Sequence, residues 1–456
     1  MKLTLVHPCI GRIPGRRYIR SWQMEPLPAA HLAGLTPPGV ELAFWDDRME
    51  PIPYDAPTDL VALSVETYTA RRAYEIASEY RRRGVPVVMG GFHATLQPEE
   101  VASYAEAVVV GEAEESWPRL LDDFRAGRLQ REYRSAARPD ISRTLPDRRL
   151  FRGKRYLPMA LVEAGRGCTF TCEFCAIQSA FGATQTRRGV ETIVREIADM
   201  PDRRRLFFFV DDNVVAHPRE AKELFRALIP LGIRWVGQAT VTMAQDEELL
   251  DLMRRSGCQG VLIGLESLDA RNLADMNKAF NAERLPPAQV VRRLHAHGLR
   301  VYATFVFGYD HDTEASFEEA LDFAMDERIF MVAFNHLTPF PGTPLYDRLE
   351  REQRLLYPRW WLDRRYHYGQ VPFRTVLPPE EIDRRCVALR KRFYSPGSIL
   401  RRMGNLTNVA RGRMLHTYFF INLLLRREAA QREQYPLGDL AFQGALLPVA
   451  GAPALG

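Results

Sequence analysis

Lysine is nearly absent from this chain, with five residues against 57 arginines in 456. Long apolar runs are missing as well. The longest, Tyr418 to Leu425, is interrupted by Asn422 and falls far short of the ~18 residues that a membrane-spanning helix needs. The opening MKLTLVHPCIGR has only a few apolar residues before Pro8, too few for a signal-peptide core. Low-complexity tracts and short-period repeats are lacking. A composition of 46% hydrophobic and 26% charged residues excludes a disordered or collagen-like chain. Six cysteines are too few for a disulfide framework at this length. A globular protein of two or three domains in a reducing, cytoplasmic setting is expected.

Acidic residues are absent from one long stretch. The formal net charge is +5, yet between Arg384 and Arg427 lie eleven basic residues and no Asp or Glu, so the remainder of the chain carries −6. This segment contains RRCVALRKRF, SILRRM, RGRM and YFFINLLLRR. It reads as a helical cap with solvated arginines, as an electropositive wall for an anionic substrate or carrier, or as a face for anionic membrane. Upstream, Trp360-Trp361 with Tyr366, His367 and Tyr368 either lines a substrate pocket or plugs the open barrel expected of the preceding strands. No basic stripe interleaves with aromatics as on an RNA-binding surface, so nucleic acid is not an expected partner.

The chain does have alternation. Over roughly residues 1–130, the runs Leu3–Val6, Val40–Trp45, Leu60–Val65, Val85–Gly91 and Ala107–Glu112 are near-continuously apolar, as strands buried on both faces are. Helical patterns such as Tyr68–Arg83 and Pro98–Ala105 lie between them. Strand–helix alternation predicts right-handed crossovers and a doubly wound parallel sheet, whose ligand sits beyond the strand carboxyl ends. There stand Ser64, Glu66, the turn Gly90-Gly91-Phe92-His93-Ala94-Thr95 and Gly111-Glu112. An arginine-rich link, 131–153, is broken by Pro139 and Pro146. From 154 to 345 six further strands (MALVEA, LFFFVDD, WVGQATV, GVLIGLES, VYATFVFGYD, MVAFNHLTPF) alternate with helices at Glu191–Met200, Arg219–Leu228, Asp246–Ser256, Pro287–His297 and Glu314–Asp326. This pattern predicts a partial (β/α)6 barrel with its site at the strand C-termini. The region 346–456 reads as small and mainly helical.

The first barrel strand runs into Gly165-Arg166-Gly167-Cys168-Thr169-Phe170-Thr171-Cys172-Glu173-Phe174-Cys175. Three thiolates spaced C-x3-C-x2-C suit a compact Fe–S centre or zinc. Structural zinc normally takes four protein ligands, and no fourth Cys or His follows at a suitable spacing. Three cysteines on a four-iron cubane leave one iron open to a chelating ligand. Cys258 and Cys386 read as small buried hydrophobes. Cys9 is the less certain of the remaining three.

The cysteine motif, with an aromatic before its third Cys on the loop after the first strand of a β/α barrel, resembles the radical S-adenosylmethionine (SAM) superfamily. Phe207–Asn213, Gly264-Leu265-Glu266-Ser267, Phe307-Gly308-Tyr309-Asp310 and Pro339–Pro344 are similar to its recurring strand-end motifs. The N-terminal sheet, with GGFHAT and VVVGEAEESWP, resembles the Rossmann-like cobalamin-binding domain of the B12-binding radical SAM subgroup. The resemblance implies a [4Fe–4S] cluster on Cys168, Cys172 and Cys175, SAM chelating the open iron, and a 5′-deoxyadenosyl radical. It implies SAM contacts from Phe174 (adenine), Glu266 and Ser267 (ribose or methionyl part), Gln238, Thr240 and Asp211, and the backbone around Val306 and Gly308. For cobalamin it implies Ser64, Gly90, Gly91, His93, Thr95, Gly111 and Glu112. The chain departs from the wider B12-binding pattern by lacking D-x-H-x-x-G. The corresponding loop is His7-Pro8-Cys9-Ile10-Gly11, so cobalt has either no lower protein ligand or His7 as a substitute.

The leading expectation is therefore methyl transfer to an unactivated carbon or phosphorus of a small-molecule, anionic or lipid-like substrate, with an external electron donor of the flavodoxin or ferredoxin type. A radical cyclase or rearrangement enzyme, or a transferase of another SAM-derived alkyl group, competes with it. So does an iron–sulfur redox or regulatory protein that no longer cleaves SAM.

Overall fold

The computed structural model describes residues 1–200, 206–283, 285–410 and 414–449. Its first sheet has six parallel strands: β1 (Lys2–His7), β2 (Glu41–Asp46), β3 (Leu60–Ser64), β4 (Val87–Gly90), β5 (Ala107–Val110) and β6 (Glu132–Arg134). Their spatial order is β2-β1-β3-β4-β5-β6. The order reverses between β1 and β3, the position where such sheets open a crevice for a ligand. Leu3, Val61, Val87 and Val108 are at most 1% exposed, so both faces are covered and the near-continuous apolar runs are explained. Strand β6 falls inside the segment expected to be a link. Its pattern Glu-Tyr-Arg has one inward residue, the buried Tyr133, too short a signal to read as a strand.

The second sheet comprises β7 (Met159–Val162), β8 (Leu206–Phe209), β9 (Arg234–Gln238), β10 (Cys258–Glu266), β11 (Arg300–Phe307) and β12 (Met331–His336). All are parallel and adjacent in chain order, which is the partial barrel. Along β11, Ala303, Phe305 and Phe307 are buried under the helices, whereas Tyr302, Thr304 and Val306 are half-buried. Thr304 reaches Glu266, so this second set faces the hollow of the sheet. The connecting helices are fixed by ordinary end signals. Asp246 accepts the Leu249 N–H at 2.9 Å, and Thr313 with Ser316 forms a capping box.

The helices Pro344–Arg351, Pro379–Phe393, Pro396–Met403, Leu406–Val409 and Met414–Gln431 follow the last barrel strand. The chain then turns back to the first sheet. Gly438–Asp439 pairs in parallel with Gly11–Arg12, and the Leu447 and Val449 N–H groups donate to Ser78 Oγ and Ser103 O. The tail thus straps the N-terminal sheet rather than capping the barrel. Trp360 and Trp361 belong to the same joint. Both are buried in the apolar cluster beneath the first sheet, with Trp360 Nε1 donating to Pro339 O and Trp361 Nε1 to Glu100 Oε1, each at 2.9 Å. The cluster therefore packs against the first sheet and does not plug the barrel.

The basic segment 384–427 resolves in the same direction. Arg385, Arg392 and Arg401 pair with Glu314, Glu318 and Asp326 on the helix Glu314–Asp326. Arg402 is buried, with its guanidinium on the carbonyls of Ile329, Phe330 and Phe393. The segment is a helical cap whose charge is matched by the acidic helix beneath it. Arg411 and Arg413 lie outside the described residues. Among the described residues no helix is long and apolar enough to cross a membrane.

Candidate active site

After β7 the chain makes a short antiparallel pair, Gly165–Gly167 with Gln185–Arg187, and the cysteine loop hangs between its arms. Gly167 has φ +93, and a Cβ there would lie 2.2 Å from Thr184 O, so only glycine lets the arms close. The loop is anchored on two sides. Glu173 N donates to Met276 O and Leu345 N to Glu173 O, both at 3.1 Å. Asn277 Nδ2 reaches Thr171 O at 3.0 Å, Arg348 pairs with Glu173 at 2.7 Å, and Phe170 stacks on Phe280. All six cysteines are free thiols. Burial pushes Cys172 up to about 11 and raises Cys175, where the N–H groups of Gln178 and Ile177 act in the opposite direction. Among the described residues no three His, Cys, Asp or Glu side chains converge on a single metal ion. A cubane asks for something else, one thiolate at each of three corners, and three thiols in one anchored loop supply that donor set.

Beside the loop lies a buried ion pair. Glu266, at φ +65 on a register irregularity of β10, accepts from Lys278 Nζ at 2.7 Å and from Thr304 Oγ1 at 3.1 Å. A Cβ on Gly264 would fall 2.0 Å from Glu266 Oε1 and 2.6 Å from Lys278 Nζ, so this glycine makes the room for the pair. Burial acts to lower Lys278, but Glu266 and the Cys172 thiol more than offset it and hold the ammonium above its usual range. Its Nζ also sits 5.9 Å from the Phe174 ring centre. A non-glycine residue at positive φ costs of order 1–3 kcal/mol, and here it aims a carboxylate and an ammonium at the mouth of the cysteine loop.

The carboxyl end of the first sheet faces the ends of β7 and β8. Between them lies a cavity of about 450 Å³, lined on one side by His7, Ser64, Glu66, Gly90, Gly91 and Gly111, and on the other by Leu161, Glu163, Arg166, Val210 and Asp212. Gly91 has φ +100, and a Cβ there would lie 2.9 Å from both Val65 N and Val65 O. Thr95 laces the glycine turns, donating to Gly91 O and accepting from Gly111 N. Burial drops His7 to about 3, leaving a neutral imidazole. Glu66 is open to the cavity yet walled by protein, and burial raises its carboxyl to about 7. The rim is a charged clamp. Arg166 binds Glu163, Glu112 and Glu114 at 2.7, 3.3 and 2.6 Å, and Arg138 binds Glu112 at 2.8 Å while also donating to Thr184 and Thr186.

Of the residues read from sequence, His7, Ser64, Gly90, Gly91, Thr95, Gly111 and Glu112 all line this cavity. His93 does not. It is fully buried behind the sheet, bonded to Glu100 and Thr67 and edge-on to Trp361, because the helix starting at Phe92 turns its ring inward. Cys9 is buried with no place in the lining. Phe174, Glu266 and Val306 sit at the barrel mouth. Gly308, at φ +124, is fixed by its N–H to Asp312 at 2.7 Å. Gln238 and Thr240 end β9, bonded to the Asp211 carbonyl and to Thr242. Ser267 accepts the Asp269 N–H and closes a turn, which is a local role. Asp211 is 1% exposed and holds the Ala164 N–H at 2.9 Å; its neighbour Asp212, not Asp211, lines the cavity. Lys278 and the Arg138–Glu112–Arg166 clamp escaped the sequence reading. Rarity was the available signal for Lys278, one of only five lysines.

The comparisons with known proteins agree with this geometry. Residues 162–324 match the radical SAM superfamily, 45–121 the B12 binding domain, and 343–418 a domain of unknown function. The chain is 31% identical over 413 residues to bacteriochlorophyllide d C-12(1)-methyltransferase of Chlorobaculum tepidum, covering 88% of each. It is 29% identical to the C-8(2)-methyltransferase of the same organism, over 72% of this chain and 77% of that one. Its fold superposes on the radical SAM methyltransferase TsrM of Kitasatospora setae, solved with cobalamin and a [4Fe-4S] cluster, with TM-score 0.65 and 16% identity over 94% of this chain and 99% of that one. The two sheets, the three-thiol loop and the cavity between them make the chain a member of the cobalamin-binding radical SAM enzyme family, with a [4Fe–4S] cluster, SAM and cobalamin as its cofactors.

Proposed function

We propose that this enzyme transfers a methyl group to an unactivated carbon of an anionic or lipid-like small molecule. The observation that carries this reading is a cavity whose one wall is the glycine turn of the first sheet and whose other wall includes Gly165 and Arg166 at the start of the cysteine loop. When bound, the cluster supplies one electron to SAM and cobalamin supplies a transferable methyl group. Cys168, Cys172 and Cys175 hold three corners of the cluster. Lys278 orients a carboxylate and Glu266 an ammonium, the two charged ends of an amino acid, and Gly264 leaves the space for both. Phe174 and the backbone at Val306–Gly308 flank the adenosyl part. Gly90, Gly91 and Gly111 let backbone approach a flat macrocycle. Leu161 and Val210 on the facing wall exclude water from the gap. The enzyme works in the cytoplasm with a flavodoxin- or ferredoxin-type donor.

The reaction is tested with reconstituted enzyme, SAM labelled in its methyl group and bacteriochlorophyllide d, the compound named in the two relatives. Label in the product and formation of 5′-deoxyadenosine support methyl transfer. Product without label indicates cyclase or rearrangement chemistry, and absence of SAM cleavage under reducing turnover points to a redox or regulatory protein.

A further inference from the structure

A second cavity, of about 580 Å³, lies on the outer side of the loop after β1, and six arginines line it: Arg12, Arg16, Arg17, Arg20, Arg48 and Arg155. Only two acidic residues, Asp47 and Asp439, share the lining, and both are engaged elsewhere. Asp47 takes Arg12, Arg72 and the Cys9 N–H. Asp439 lies 3.7 Å from Arg72 and accepts the Ala441 N–H. Arg48 adjoins both cavities, so they share a wall.

The arginines divide into two sets. Arg12, Arg20 and Arg48 are structural. Arg12 bonds Asp47; Arg20 donates to Gln23 Oε1 and to the carbonyls of Arg155 and Tyr156; Arg48 grips Asp46 and donates to Trp22 O and Met24 O. They fix the cleft. Arg16, Arg17 and Arg155 are exposed, and among the described residues none of the three guanidiniums has a protein acceptor. Arg16 and Arg17 follow a defined turn, and Arg155 comes from a separate segment of the chain. Pro14-Gly15 forms a turn with Gly15 at φ +74 and Arg16 N donating to Ile13 O at 3.0 Å, the form of a type II turn. The returning tail closes the opposite side. Gly11 abuts it so closely that a Cβ would lie 2.0 Å from Pro436 O, and the Tyr18 and Tyr435 rings meet edge to face.

Arg385, Arg392 and Arg401 of the C-terminal helices find carboxylates on the helix beneath them, whereas the exposed arginines of this cleft have none among the described residues. Here three unneutralised guanidiniums converge on a concave surface, which concentrates anions, and the planar fork of Arg matches the two oxygens of a phosphate or carboxylate. We propose that the cleft is an oxyanion-binding site for the phosphate or carboxylate group of a small molecule that lies against, or extends into, the adjoining interdomain cavity. Two sources carry that chemistry, the phosphodiester of a corrinoid's nucleotide tail and an anionic group on the substrate. The site itself does not depend on the proposed reaction.

The test is binding of inorganic pyrophosphate to the full chain by calorimetry, and of cobalamin and the nucleotide-free cobinamide by quenching of protein fluorescence, in wild type and in R16S/R17S. Both side chains are exposed, so Tm is expected to stay unchanged. The expected result is saturable pyrophosphate binding that weakens with salt and falls at least tenfold in the variant. A parallel loss for cobalamin but not cobinamide assigns the site to the nucleotide tail. Equal corrinoid binding in both proteins assigns it to a substrate anion. Pyrophosphate binding that is absent, or equal in wild type and variant, overturns the proposal.

Discussion

The two banks of the interdomain cavity solve opposite problems. The barrel side carries its charge in pairs, Glu163 with Arg166 at the cavity wall and Glu266 with Lys278 at the cysteine loop outside its lining, each at 2.7 Å. The sheet bank places glycine and backbone at its centre and its charges at the rim. Its contact surface is Gly90, Gly91, Gly111 and Ser64, a neutral His7 and a Glu66 whose carboxyl burial raises to about 7. Its other charged members are held by partners, Glu112 and Glu114 in the Arg138 and Arg166 clamp, Arg48 by Asp46 and Glu25 by Arg148. A bank of fixed opposite charges recognises a small zwitterion. A bank of glycine and exposed backbone admits the broad face of a macrocycle. The difference teaches that the cofactors are divided by electrostatics as much as by shape.

The largest expected effect tests the barrel bank at its metal end. Cys172→Ala removes one of three thiolates and is expected to abolish the visible charge-transfer absorbance of the reconstituted cluster, together with all SAM cleavage. Unchanged absorbance would refute the ligand assignment. Cobalamin retention should survive, because the sheet bank is untouched. Losing both would merge the two banks into one folding unit and break the contrast.

The reciprocal change is at Gly91. A Cβ there meets Val65 N and O at 2.9 Å, whereas at Gly111, also at positive φ (+81), nothing lies within 4 Å. Gly91→Ala is therefore expected to displace the turn and abolish cobalamin retention in spin-column assays. Gly111→Ala should cost about 1 kcal/mol of stability from φ alone and keep the corrinoid. Equal behaviour of the two variants would show that the close approach at Gly91 does not shape the site.

Much of this was legible beforehand, and for a physical reason. Strands buried on both faces must be apolar throughout, so eleven of the twelve strands of the two sheets announce themselves as runs such as LFFF and VPVVMGG. The spacing of Cys168, Cys172 and Cys175 is local and needs no tertiary knowledge. What escaped was whatever depends on direction or pairing. Asp211 and Asp212 differ only in which side of a strand end they leave from, and a one-residue step reverses that. His93 sits one position into a short helix that turns it inward. The arginines of 384–427 looked like a field because their partners, Glu314, Glu318 and Asp326, lie about seventy residues earlier. The unmatched arginines of 12–20 are fewer and drew no attention.

Lys278 offers a finer cut through the barrel bank. Lys278→Met leaves Glu266 buried without its cation, which is costly, whereas the double variant E266Q/K278M removes both charges. In the single variant the KM for SAM is expected to rise ten- to a hundredfold, with cluster absorbance intact and cobalamin binding unchanged. The double variant should recover much of the lost Tm but none of the SAM affinity. Recovery of affinity together with Tm would mean that the pair serves the fold alone.

The smallest effect probes an exception on the barrel bank. Asp211 is a carboxylate without a cation, holding only the Ala164 N–H, with Oδ1 unpartnered among the described residues. Burial lifts its carboxyl to about 7, against 3.8 for an ordinary aspartate. Between those values the folded chain keeps a proton that the unfolded chain releases. Stability from this group is therefore present at pH 4 and below, and is lost as the pH rises toward 7. Asp211→Asn keeps the acceptor for Ala164 but cannot ionise. Its Tm should lie closest to wild type near pH 5 and gain on wild type by a few degrees at pH 8. A difference in Tm that stays constant from pH 5 to 8 would show that Asp211 is ionised and paired in the folded protein.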